Sequence, residues 1–360
     1  MRVIHLSAEK TWRGGEQQIA YLIDELQKLN VEQLVVCKTG SAFETYCRIN
    51  GIPYKSLTFS NQFDLFSSLK LKKITIRFNA DIIHLHSSHA HAISIWSYFL
   101  GNKTNLVLSR KVDFPISKNF LSRIKYNCSA IKKIICVSNA IRTILQKDID
   151  DKSKCVTIYD GIDISKFIKK SSKLREEFAI NKDVKIIAST AALAEHKDYP
   201  TFIEAIKQIG TSLNAHYFII GDGPLKKDIE ELVISNNLQD KITFTGFRTD
   251  INEILAELDV FVLSSKTEGL GSSILDAFAC KVPVVCTNAG GIPEIVEHNV
   301  TGLLSDVGDA KALAVNIIKA CNDTEFKNRI VENAMEKVKK FDKRIMAEQT
   351  LNVYKNIISA

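Results

Sequence analysis

The sequence predicts an α/β protein of two consecutive doubly wound domains, and three observations carry that expectation. At 360 residues the chain exceeds one ordinary domain and suits two, each large enough to bury its own core. Strand-length apolar runs alternate with amphipathic helical stretches almost throughout, the pattern of parallel sheets with helices on both faces. The alternation breaks once, in a polar, turn-forming stretch near residues 160–175, and then starts again.

The first series opens with RVIHLS, passes through the helix-like GEQQIAYLIDELQKLN to EQLVVCKT, and later supplies DIIHLHS, NLVLSR and KKIICVS. The break lies in VTIYDGIDISKFIKKSSK, where Asp160-Gly161 favours a turn. The second series runs VKIIAST, YPTFIEAIKQIG, AHYFIIGDG, KKDIEELVISNN, KITFTGF, INEILAEL, VFVLSS, SSILDAFAC, VPVVCT and TGLLSD. After Phe341-Asp342 a last helix, about 343–358, is expected to return to the first domain. The expected division is therefore 1–165, 166–342 and a C-terminal helix within 343–360. No tandem repeat or low-complexity segment interrupts it.

Composition is that of a globular protein, with 45% hydrophobic and 25% charged residues. Eight scattered cysteines form no CxxC pair, and several sit inside apolar runs, so reduced core thiols are expected. The opening MRVIHLSAEK is a strand-length apolar run, far short of a secretory or membrane-spanning segment, and the expected location is cytoplasmic. Charge is uneven. Residues 1–165 hold 23 Lys/Arg against 14 Asp/Glu, whereas the remainder holds 25 against 27. The basic first half suits an anionic surface, such as the inner face of a membrane, or is simply a solvated basic surface. In KNFLSRIKYNCSAIKK, basic and aromatic residues alternate at helical spacing. Lys118, Arg123 and Lys125 could meet lipid phosphates while Phe120, Leu121 and Ile124 dip inward; an amphipathic helix packed on its own core fits equally. Nucleic-acid binding has only charge in its favour.

The chemistry concentrates in FVLSSKTEGLGSSILDAFA. A buried strand ends at Ser264-Ser265, a glycine loop follows, and a helix starts near Ser272 as its expected N-cap. Ligands of open α/β sheets bind at such carboxyl ends of strands. Gly269 and Gly271 let backbone amides approach a ligand, and the helix N-terminus favours a diphosphate. Glu268 and Asp276 flank that anion site as acceptors for sugar and ribose hydroxyls.

EGLGSSILD, two acids around a glycine turn, resembles the signature of family 4 of the retaining glycosyltransferases, with Asp in place of the second Glu. The resemblance covers nearly the whole chain and implies the GT-B fold, two facing Rossmann-like domains with an interdomain cleft. It implies that Glu268 holds donor-sugar hydroxyls, that Gly269, Leu270, Gly271 and Ser272 meet sugar and phosphate, and that Asp276 binds ribose. In FIIGDGPLKK, Gly221, Asp222 and Gly223 resemble the family's turn beside the donor. In ITFTGFRTDI, Gly246 and Phe247 resemble its nucleobase loop. TNAGGIPEIV and NVTGLLS match segments that follow the signature. In STAALAEHKDYPTF, Lys197 fills the position of the phosphate-binding Lys, while Ala192 stands where an Arg is usual. His196, Arg248 or amides alone could compensate.

In the first domain, Gly14-Gly15 of TWRGGEQQ closes the first strand and opens a helix, a tight turn or, by resemblance, a source of amides for the donor phosphate. His84 reads as a satisfied core histidine. By resemblance His89 contacts the transferred sugar, with His86 next, and Arg110 serves an anionic acceptor or the donor phosphate. The run HLHSSHAH offers zinc ligands, but no second helix-borne set such as HExxH accompanies it, so no metal is expected. Asp148-Ile149-Asp150, the one literal DxD, reads as solvated surface.

The expectation is thus a metal-independent retaining hexosyltransferase taking a nucleotide sugar, UDP-linked by resemblance, to a hydroxyl of a glycan or lipid-linked acceptor in surface polysaccharide or lipopolysaccharide synthesis. Catalytic roles fall on His89, Lys197 and Glu268. Two alternatives keep the fold: a sugar-nucleotide epimerase, and an inactive, membrane-associated donor-binding subunit. A nicotinamide-dependent oxidoreductase is disfavoured, because no GxGxxG follows the first strand.

Overall fold

A computed structural model describes residues 1–117, 119–167 and 173–359. The chain forms two compact units, Met1–Gly161 with Lys343–Ala360, and Ile162–Asp342. Lys118, to which the sequence gives a lipid-facing role, lies outside the described residues.

The first unit contains β1 (Arg2–Ser7), α1 (Gly14–Lys28), β2 (Glu32–Lys38), α2 (Ala42–Ile49), β3 (Tyr54–Leu57), α3 (Leu65–Phe78), β4 (Ile82–Leu85), α4 (Ser88–Phe99), β5 (Asn105–Arg110), α5 (Phe120–Asn127), β6 (Ile131–Cys136), α6 (Asn139–Leu145) and β7 (Cys155–Thr157). Its strands form one parallel sheet in the order β3-β2-β1-β4-β5-β6-β7. That order reverses beside β1, so the carboxyl ends of β1 and β4 flank a switch point where open α/β sheets bind ligands. β1 and β4 read as continuous apolar runs because both sheet faces are covered.

The second unit contains α7 (Lys173–Glu177), β8 (Lys185–Thr190), α8 (Tyr199–Ile209), β9 (Ala215–Ile220), α9 (Lys226–Ser235), β10 (Ile242–Gly246), α10 (Ile251–Leu255), β11 (Val260–Leu263), α11 (Ser272–Ala279), β12 (Val284–Thr287), α12 (Ile292–Ile295), β13 (Leu303–Ser305), α13 (Ala310–Asn322) and α14 (Thr324–Val338). Its sheet is again parallel, β10-β9-β8-β11-β12-β13, with its switch point between β8 and β11. Phe202, Tyr217, Val262, Leu313 and Ile330 belong to its core.

The final helix, α15 (Lys343–Ile358), packs on α1 in the first unit. Lys343 binds Asp24 at 2.8 Å and Glu25 at 3.2 Å, while Met346, Leu351 and Tyr354 join Val3, Leu22 and Leu26 in one apolar cluster. Gln18 on α1 clasps the backbone of Gly161, donating to its carbonyl and accepting from its N–H, both at 2.8 Å. A side chain at 161 would lie 2.5 Å from the Cα of Lys343, so glycine there lets the returning helix approach.

All eight cysteines are free, and seven are buried. Among the described residues no helix is long and apolar enough to cross a membrane.

Candidate functional site

In the second unit, the loops after β8, β9, β10 and β11 converge through backbone hydrogen bonds. The Gly221 N–H donates to the Gly246 carbonyl at 2.9 Å, the Leu193 N–H to the Asp222 carbonyl at 3.1 Å, and the Lys266 N–H to the His196 carbonyl at 2.8 Å. Ser264 Oγ adds bonds to the carbonyls of Lys197 and Asp198 at 3.0 and 3.1 Å. Close approach explains the glycines. A Cβ at Gly221, whose φ is +145°, would sit 2.1 Å from the Ala191 carbonyl oxygen, and one at Gly223 would sit 2.4 Å from that of Leu193.

Lys197 ends the short turn Glu195–Lys197 ahead of α8. Its ammonium bridges both carboxylate oxygens of Glu268, at 2.9 and 2.7 Å, and both side chains are largely shielded from water. Two residues drawn from loops seventy positions apart thus meet in one ion pair. Such a buried pair is weak evidence for stability, because desolvation offsets much of the Coulomb attraction. It is better evidence for a site.

The helix after the loop differs from expectation at its start. Gly271, not Ser272, occupies the N-cap with φ +88°, and no side chain caps α11. A left-handed cap position is one that glycine adopts without penalty, whereas serine would be strained there. The amides of Ser272 and Ser273 have no partner among the described residues, so the helix presents bare N–H groups of the kind that bind anions. Leu270 is buried beneath the loop and Gly269 is half-buried. Four residues into α11, the Asp276 carboxyl makes no hydrogen bond or ion pair with the described residues. Burial without a compensating cation pushes its pKa up to about 7.

Arg248 does not stand free as a replacement for the missing arginine. It binds Glu177 at 2.8 and 2.9 Å and Asp250 at 2.9 and 2.8 Å, bonds that hold its guanidinium firmly charged and pull the Asp250 carboxyl well below the usual range. A donor would have to break that network to recruit it. Phe247 is 66% exposed, His196 and Ala192 are exposed, and Asp222 accepts from the Gly223 N–H at 2.8 Å.

In the first unit, Gly14 and Gly15 open α1 but do not close β1, which ends at Ser7, seven residues before Gly14. Glu16 holds the entry by accepting from the Arg13 N–H at 3.1 Å. His89 is exposed in the first turn of α4. His91 is buried, bonded to the Lys125 carbonyl at 3.0 Å. Arg110, 9% exposed, is also engaged: it donates to the Tyr126 hydroxyl at 2.7 Å and to the Phe114 carbonyl, with its guanidinium over both rings. An anion at Arg110 would have to displace one of these partners. His84 is a satisfied core histidine, bonded to Tyr354 Oη at 2.5 Å and Ser109 Oγ at 2.8 Å. In the Asp148-Ile149-Asp150 segment, Asp148 accepts from the Ile116 N–H at 3.0 Å and Asp150 is exposed.

Residues 12–166 match the family model Glycosyltransferase Family 4, and residues 170–337 match Glycosyl transferases group 1. The chain belongs to this family of glycosyltransferases. Over 304 residues it is 27% identical to N-acetyl-alpha-D-glucosaminyl L-malate synthase of Bacillus anthracis, covering 82% of this chain and 80% of the relative. It is 24% identical over 341 residues to the lipopolysaccharide core biosynthesis glycosyltransferase LpsE of Rhizobium meliloti, covering 93% of each. Its fold is similar to that of Anabaena HepE in complex with UDP-glucose, with TM-score 0.88, 24% identity, and 99% of this chain and 100% of that chain covered. The fold of this glycosyltransferase is GT-B.

The structure adds residues of the glycosyltransferase that the sequence reading did not single out. Gly290 has φ +51°, and a Cβ there would lie 2.0 Å from the Glu268 carbonyl oxygen; the neighbouring Gly291 N–H donates to that carbonyl at 2.9 Å. The double glycine in TNAGGIPEIV therefore seats the backbone of Glu268. Its signal was a Gly-Gly pair directly before a proline-started helix, and only the fold shows what it touches. The other addition is His5, which faces His86.

Proposed function

We propose that this glycosyltransferase takes a nucleoside-diphosphate sugar, UDP-linked, and transfers a hexose-type residue with retention of configuration to a hydroxyl of a glycan or lipid-linked acceptor in surface polysaccharide synthesis. The observation that carries this reading is the Lys197–Glu268 pair beside the uncapped start of α11. Lys197 and the amides of that helix would neutralise the leaving diphosphate, so the donor chemistry in this unit needs no metal. Glu268 would accept from sugar hydroxyls and Asp276 from ribose hydroxyls, with Gly221, Asp222, Gly223, Gly246 and Phe247 shaping the surroundings. The HepE complex with UDP-glucose and the lipopolysaccharide role of LpsE support the donor and acceptor classes. In the first unit, His86, His89 and the start of α1 at Gly14 and Gly15 remain our candidates for substrate contact. A labelled UDP-sugar panel, with and without acceptor, tests the reading. Transfer by the wild type and its loss in Glu268→Ala is the expected result; isomerisation of donor alone, or equal transfer by the variant, refutes it.

A membrane-facing surface on the first unit belongs to the same reading. Phe63, Leu65, Phe66 and Leu69 are 58%, 49%, 63% and 44% exposed along α3 and its entry. The rings of Phe63 and Trp96 lie 6.0 Å apart and those of Trp96 and Phe99 6.2 Å apart, continuing the patch onto α4. Helix α3 carries Lys70, Lys72, Lys73 and Arg77 and no acid, and Lys70 sits 4.2 Å over Phe66. On α5, Phe120 and Leu121 are also exposed, which supports its reading as an interfacial helix. Aromatic residues ringed by cations suit the headgroup level of an anionic leaflet. Co-sedimentation with phosphatidylglycerol vesicles should weaken several-fold in Phe66→Ser, and indifference of the wild type to anionic vesicles at low salt would refute the docking role.

A further inference from the structure

His5 lies in β1 opposite His84 in β4, and His86 follows two residues on. Side chains two apart on a strand share a face, so three imidazoles drawn from distant parts of the sequence meet above one side of the sheet. One ring nitrogen of each lies within 4.8 Å of one of each of the other two.

The hydrogen bonds around them fix the proton positions. Gln33 Nε2 donates to the Ile23 carbonyl at 3.0 Å, which turns its amide oxygen toward His5 Nε2, also at 3.0 Å. His5 therefore carries its proton on Nε2, and its Nδ1 lone pair points at His86 Nε2, 3.1 Å away. His5 and His84 are buried and His86 is half-buried. A neutral imidazole whose far nitrogen is tied to an amide or hydroxyl has its ligand atom oriented for a metal. Here Gln33 orients His5, and Tyr354 with Ser109 holds His84.

We propose that His5, His84 and His86 form a zinc site in the first unit, using His5 Nδ1, His86 Nε2 and one ring nitrogen of His84. Ligands around a tetrahedral zinc sit a little over 3 Å apart, which the His5–His86 separation already meets. On binding, the His86 proton moves from Nε2 to Nδ1, and one hydrogen bond of His84 gives way to the metal. An all-nitrogen set selects zinc over magnesium or calcium, which need oxygen ligands. A small cavity beside His84 and His86, also lined by Gln18, Lys111, Asp160 and Thr350, leaves room for a fourth ligand such as water. Pairing of the Lys111 ammonium with Asp160 offsets part of its repulsion of a cation there.

Chelator-stripped full-length protein titrated with Zn²⁺ against a chromophoric chelator should take up one ion per chain with a micromolar or tighter Kd. Co²⁺ should give the intense visible bands of a four-coordinate site without the near-ultraviolet bands of cysteine ligation. His86→Gln should weaken binding at least about a hundredfold. No saturable uptake, a weak six-coordinate cobalt spectrum, thiolate bands, or unchanged affinity in the variant would overturn the site. Should His86→Gln not fold, the wild-type cobalt spectrum decides alone.

Discussion

Asp276 offers the sharpest test, because stability and function should respond to its replacement with opposite sign. Its carboxyl is shifted from the ordinary 3.8 up to about 7 by burial alone, with no cation opposed to it. The folded state therefore holds the proton more tightly than the unfolded chain. The favourable contribution is complete below pH 4, is lost as the pH rises toward 7, and stays lost above it. Three units at about 1.4 kcal/mol each set the full loss at no more than about 4 kcal/mol, and the partial exposure of Asp276 brings it below that. Asp276→Asn keeps the shape of the protonated acid and cannot ionise. Its stability advantage should grow from under about 2 kcal/mol at pH 5 to a plateau of at most about 4 kcal/mol above pH 8, read from urea unfolding followed by circular dichroism. Donor affinity should move the other way. On the proposed reading an ionised Asp276 would accept from ribose hydroxyls, so UDP binding by the wild type should tighten between pH 6 and 8, while the variant binds about tenfold more weakly at pH 8 with a flat profile. Parallel stability curves for the two proteins would refute the argument, since they would mean that water or a counter-charge already compensates the carboxylate.

Two further substitutions separate seating from contact. Gly290→Ala places a methyl 2.0 Å from the Glu268 carbonyl oxygen; thermal stabilisation by UDP-sugar should disappear, whereas Gly15→Ala, with nothing within 4 Å of its new methyl, should leave melting unchanged or slightly raised. Tyr354→Phe removes the 2.5 Å bond to His84 and should cost about 1–3 kcal/mol in urea unfolding, because a buried ring nitrogen loses its partner.

The parallel sheets were legible because their strands are apolar runs with polar, amphipathic stretches between them, a pattern that survives without any partner information. EGLGSSILD was legible for the same reason: acids and glycines at a strand-to-helix junction carry their chemistry locally. What escaped is what depends on pairing across the chain. Lys197 and Glu268 each read as a substrate contact, yet in the structure they are each other's partner. Arg248 read as a spare cation, and its carboxylates include Glu177, seventy-one residues earlier. The N-cap of α11 went to Gly271 because backbone conformation outweighed the side-chain preference for serine. His5 drew no notice within an apolar strand, since its neighbours in the fold come from residues 84 and 86.

The Lys197–Glu268 pair has a consequence for how a donor binds. The ammonium of Lys197 satisfies the carboxylate of Glu268 and the carboxylate holds the ammonium, so neither is available without the other being released. A diphosphate carries more charge than one carboxylate and can draw Lys197 away, which frees Glu268 to accept from sugar hydroxyls. Free UDP takes the cation but offers no sugar to Glu268, and it leaves that carboxylate shielded from water without a full partner. On the proposed reading the two halves of the donor would thus be coupled through one ion pair. Glu268→Gln should therefore split the ligands: UDP, freed from competition for Lys197, binds as tightly as to the wild type or tighter, while UDP-sugar loses about tenfold or more because the charge-assisted bonds to its hydroxyls are gone. Calorimetric titration with both ligands reads the split directly. Equal weakening of UDP and UDP-sugar would show that Glu268 supports the site as a whole, and the coupling would be wrong.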